Sequence, residues 1–142
     1  MSTNKEFANK VVLLRGEIIS QVIVLERYID IYLAYYFTHT DGAKFTEMLE
    51  LILSSDKMSF DGKRQVFCFL LKKHEPTFIA KYSSISNDLI YILQQRNILA
   101  HYIFDLSDEA VRERPEIISF IKYKNATSLV DFDENKINNL VN

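Results

Sequence analysis

Arg96, Asn97 and His101 fall within six residues of one another in the stretch QQRNILAHY, residues 94–102, late in a long apolar run. An arginine keeps its charge at any physiological pH and offers a fork of donors to an anion. A carboxamide brings both a donor and an acceptor, and an imidazole titrates close enough to neutrality to take and return a proton. Three such groups at this spacing suit phosphate binding and general acid–base work. The competing role for the same residues is to satisfy one another inside a packed core.

Which role applies depends on the helix that carries them. Counting about 100° per residue puts Ile85, Leu89, Ile92, Leu93, Leu99, Ala100 and Ile103 within about 60° of Arg96, so Arg96 is expected to point into the core-facing stripe. Asn97 and His101, four residues apart, share a third face with Gln94. Tyr91, Ile98 and Tyr102 form a second apolar strip on nearly the opposite side, and the simplest cover for it is another copy of the chain. His101 lies about 140° around the helix from Arg96, so the two meet only if the arginine bends around or a second chain supplies one of them. A buried guanidinium needs acceptors, and the first helix offers Glu26, amid Ile19, Val22, Ile29, Leu33 and Phe37, with Asp30 one turn on. These carboxylates are read either as a partly solvated edge or as supports that orient Arg96 or His101, with Glu26 the expected partner of Arg96. His39 and His74 fall near expected helix ends and suit solvated capping. The single Cys68, inside VFCFLL, reads as a small buried hydrophobe, which leaves no disulfide scaffold and no cysteine-ligated metal. No metal and no cofactor is implied.

These residues must be positioned by long helices. The chain has 142 residues, 48% of them hydrophobic, with 3 Gly and 2 Pro, which suits one domain over 1–142 built of long elements and short connections. Apolar residues recur at helical spacing from about 6 to 37, and Phe45, Met48, Leu49, Ile52 and Leu53 mark a second helix. Ser59 is placed to cap a third, reaching about Lys73, with Phe60, Val66, Phe67, Leu70 and Leu71 on its buried side. Pro76 suits the first turn of a fourth, from about 77 to 104, with a break near Ser83-Ser84. Beyond it the period changes, and EIISFIKY and TSLVDF around the turn KNA predict a hairpin, followed by a short helix capped by Asp133. The expected fold is mainly α, an up-and-down bundle of four or five helices, with a core over about 8–105 and an appended hairpin and helix over about 112–142. The run IISQVIVLERYIDIYLAYYF carries Glu26, Arg27 and Asp30 at its centre, which argues for a buried soluble helix and no membrane contact. The polar opening MSTNKEFANK has no apolar signal region, so the cytoplasm is the expected location. A net charge of −2 supplies no global basic field, so any RNA contact must be local.

RNILAH near the end of a late helix resembles the motif of the HEPN superfamily (higher eukaryotes and prokaryotes nucleotide-binding), in which an arginine and a polar residue, often asparagine, precede a histidine. A long first helix and a third helix opening on MSF..K (Met58, Ser59, Phe60, Lys63) extend the resemblance over about residues 8–105. It implies an all-helical bundle that dimerises so that two motifs face each other across a composite cleft, and a metal-independent endoribonuclease, often a toxin or defence protein held in check by an antitoxin. On that resemblance His101 assists attack of the ribose 2′-OH or protonates the leaving oxygen, Arg96 stabilises charge on the phosphate, and Asn97 positions the cleft, with Tyr102 in support. Members paired with nucleotidyltransferase antitoxins commonly carry a tyrosine two residues after the histidine. Here Tyr102 follows His101 directly and Ile103 comes next. The alternative implied by the same resemblance is a non-catalytic dimerisation or nucleotide-binding module.

Overall fold

A computed structural model describes residues 2–54, 57–124 and 126–141. The chain is mainly helical, with a small antiparallel sheet near its C-terminus. Helix α1 (Ser2–Thr38) runs 37 residues, about 55 Å. It ends at His39, whose φ of 53° is the left-handed conformation that closes helices, with the His39 N–H donating to the Tyr35 carbonyl at 2.8 Å. Helix α2 (Ala43–Glu47) continues into wider π-helical turns over Met48–Leu53. Ser59 caps α3 (Phe60–His74) as expected, its hydroxyl accepting from the Gly62 N–H at 3.1 Å. Pro76 opens α4 (Pro76–Lys81), and the expected break at Ser83-Ser84 separates it from α5 (Ile85–His101).

Helix α5 stops at His101, short of the expected 104, because the next residues become a strand. β1 (Ile103–Phe104) pairs antiparallel with β2 (Ile118–Lys124), Ile103 opposite Ile121 and Phe104 opposite Phe120. β2 in turn pairs with β3 (Ala126–Phe132), so the expected hairpin is the main part of a three-stranded sheet. Asn125 of its KNA turn lies outside the described residues. Asp133 caps α6 (Glu134–Val141), its carboxylate accepting from the Lys136 N–H at 2.7 Å. Among the described residues no helix is long and apolar enough to cross a membrane.

The chain forms two compact units, Met1–Gln21 with Gln94–Asn142, and Val22–Leu93. In the first, Phe7, Val11 and Ile18 of α1 are buried, as are Leu99 of α5 and Ile118, Phe120 and Phe132 of the sheet. The rings of Phe120 and Phe132 meet edge to face at 5.3 Å. The hairpin thus belongs to the same unit as the end of the motif helix. In the second, Val22, Ile29 and Leu33 of α1 are buried, along with Leu49, Leu53, Leu89 and the α3 residues Phe60, Cys68, Leu70 and Leu71. Of the side expected for α3, Val66 and Phe67 are only half-buried, while Lys63 is buried with it. Cys68 is a free, buried thiol, as its apolar setting predicts.

Candidate functional site

The last two turns of α5 carry the candidate site. Asn97 and His101 are both exposed on one face, as their spacing requires. Arg96 is half-buried, and its Nη1 donates to the Asn97 carboxamide oxygen at 3.0 Å at the surface. The buried line of this part of the helix runs through Gln95 (7% exposed) and Leu99 (0%), which turns Arg96 to the edge of the stripe and not to its centre. A long arginine at an edge lays its methylenes along apolar neighbours and puts its charged head in water. The His101 side chain is exposed and, among the described residues, makes no hydrogen bond or ion pair. Of the second apolar strip, Tyr91 is exposed while Ile98 and Tyr102 are half-buried.

Glu26, expected as the partner of Arg96, is held by a cation of its own unit. Glu26 Oε1 accepts from Lys63 Nζ at 2.6 Å, and the two oxygens of Asp30 lie 3.0 and 3.3 Å from the same ammonium. Lys63 is 3% exposed and Asp30 4%. The Lys63 ammonium, on α3, donates one hydrogen bond to each carboxylate, and the Arg96 guanidinium finds its acceptor one residue away. Glu26 and Asp30 therefore serve the packing of the second unit. Burial pushes the Asp30 carboxyl above the ordinary carboxylate range, and the Lys63 hydrogen bond and charge pull it back down.

One residue that supports the site carries no motif. Arg15 Nη2 donates to the Tyr102 carbonyl at 2.8 Å, and its guanidinium lies 5.2 Å from the Phe120 ring centre and 5.7 Å from that of Phe104. The cation thus sits at the negative end of α5 and fixes the turn just after His101. What Tyr102 contributes here is its carbonyl. Arg15 lies four residues after Val11 and three before Ile18, on the buried face of α1, and a lone cation on that face is the signal that finds it. Arg15→Gln is expected to lower stability by about 2–3 kcal/mol, the scale of a charged hydrogen bond plus a partly desolvated cation–π contact. Urea unfolding checks this, with Arg15→Lys expected to recover only part of the loss.

The other two histidines have local roles. His74 Nε2 is 2.8 Å from the Tyr36 hydroxyl, at the end of α3, and His39 closes α1. Among the described residues, no group of three or more His, Cys, Asp or Glu is placed to hold a metal ion. Arg96 and Asn97 thus form one hydrogen-bonded pair at the surface, with the exposed His101 imidazole one turn on from Asn97. Comparison of the chain with family models, curated proteins and solved structures found no match.

Proposed function

We propose that the protein is a metal-independent endoribonuclease of HEPN type, a cytoplasmic toxin or defence component that acts as a homodimer with a composite Arg96/His101 site. The observation that carries this reading is the surface position of the Arg96 guanidinium, held by the neutral Asn97 carboxamide and, among the described residues, by no carboxylate. Its charge is left for an anion. At each composite site the His101 of one chain takes the proton of a ribose 2′-OH as the 2′ oxygen bonds to phosphorus, and the departing 5′ oxygen takes a proton from solvent as the P–O5′ bond breaks. The products are a 2′,3′-cyclic phosphate and a free 5′-OH. Arg96 stabilises the charge that grows on the non-bridging oxygens.

Dimerisation is supported by α1, which exposes Val24, Tyr28, Ile31 and Tyr35 at i, i+4, i+7 and i+11, the spacing of an interhelical seam. Tyr28 alone is 68% exposed. Light scattering is expected to give the mass of two chains, and Tyr28→Glu/Tyr35→Glu to give a folded monomer; a wild-type monomer at micromolar concentration contradicts the composite site. The activity itself is tested by incubating the protein with a panel of single-stranded RNAs in excess EDTA. Cleavage with 2′,3′-cyclic phosphate ends is expected. An intact panel together with measurable nucleotide binding leaves the non-catalytic nucleotide-binding module in its place.

A further inference from the structure

The first unit carries an open groove of about 760 Å³ along the early part of α1 and the C-terminal segment. Its apolar floor is Leu13, Leu14 and Ile137, and Leu13 is 74% exposed. Glu6, Glu17, Glu116 and Glu134 stand around that floor with Lys10 as the one cation, leaving three net negative charges where the whole chain has a net of −2. Glu134 has a structural reason to be there, since it lies in the first turn of α6 and complements the positive end of that helix. Glu17 and Glu116 have none: both are exposed, and neither pairs with a cation among the described residues. An apolar floor this exposed marks an interaction surface, and its acidic rim repels phosphate backbones and selects cationic protein.

We infer that this groove docks a cationic amphipathic segment of a protein partner, whose apolar side covers Leu13, Leu14 and Ile137 while its lysines or arginines meet Glu17 and Glu116. The inference does not rest on the ribonuclease reading, because the groove uses none of Arg96, Asn97 or His101. It is tested on the full chain by fluorescence anisotropy with two labelled synthetic helices, one of leucine and lysine and one of leucine and glutamate. Only the cationic helix is expected to bind. Glu17→Lys/Glu116→Lys should weaken it about tenfold, the scale of two rim charges turned from attractive to repulsive. Leu13→Gln should weaken it at unchanged charge, and this exposed position carries no risk to the fold. Glu47→Lys/Glu50→Lys, a charge reversal at exposed sites outside the groove, should leave binding unchanged. Binding that ignores both groove variants, that falls equally for the control pair, or that is absent in the wild type overturns the inference.

Discussion

Lys63→Met is expected to lower stability by about 3–5 kcal/mol near neutral pH, because it leaves two carboxylates facing each other with no cation between them. The side chain packs as well as lysine's stem, so the loss reads the charge and not a cavity. Asp30 is 4% exposed and has no water to turn to, while Glu26 keeps partial access to solvent. The pH dependence carries the distinguishing sign. Asp30 has its folded-state pKa raised by burial, so its contribution is fully present below the ordinary aspartate value and is lost as pH rises through the raised one. Lys63 opposes that rise through its hydrogen bond and its charge; without it the Asp30 pKa climbs further and the window widens upward. Asp61, whose carboxyl is held low by hydrogen bonds from Arg64 and Gln65, loses stability on acidification, but it does so in both proteins. The gap between wild type and Lys63→Met in urea midpoint should therefore narrow on going from neutral pH to about pH 5. Neutralising all three, as Lys63→Met/Asp30→Asn/Glu26→Gln, should restore most of the loss. A single-variant deficit under about 1 kcal/mol, of the size of an exposed pair, contradicts the account of this cluster.

What was legible in the sequence was local. Ser59 and Asp133 each accept a backbone N–H three residues on, Pro76 opens its helix, and Ser83-Ser84 interrupts one, all from chemistry within a few residues. The shared face of Asn97 and His101 follows from a spacing of four, and the structure adds that it is exposed. What was not legible depends on partners distant in the chain. Lys63 and Glu26 are 37 residues apart, and Arg15 and Tyr102 are 87 apart. No periodicity reveals such pairs, and Lys63, which holds Glu26, shows in the sequence only as part of a helix opening. β1 is two residues long and exists because β2 lies beside it, so helical continuation to residue 104 was the natural local reading. The Arg96–Asn97 bond joins adjacent residues, which point 100° apart at the backbone and meet only because an arginine side chain is long enough to turn back.

His101→Ala is expected to slow RNA cleavage by about a hundredfold or more, the usual share of a general acid–base group. His101 is exposed and has no partner among the described residues, so its removal leaves no buried group unsatisfied and should not change melting temperature or dimerisation. That separates it from Arg15, whose loss is expected to lower stability by removing the hydrogen bond to the Tyr102 carbonyl. His101→Asn keeps a polar group without a titratable proton near neutrality and should be as slow as alanine, whereas a positional role alone would let asparagine recover part of the rate. Arg96→Ala should be impaired to a similar degree and should also free the Asn97 carboxamide, with little cost to folding because the guanidinium is at the surface.

If each cleft takes its arginine from one chain and its histidine from the other, two inactive variants should complement each other when mixed. Arg96→Ala and His101→Ala are unfolded together, refolded as a mixture, and assayed on single-stranded RNA in excess EDTA. In a shared cleft, each mixed dimer has one site with both lesions and one with none, so random pairing should restore about a quarter of wild-type cleavage, with 2′,3′-cyclic phosphate ends. A refolded, dimeric mixture that stays as inactive as its two parents contradicts the claim.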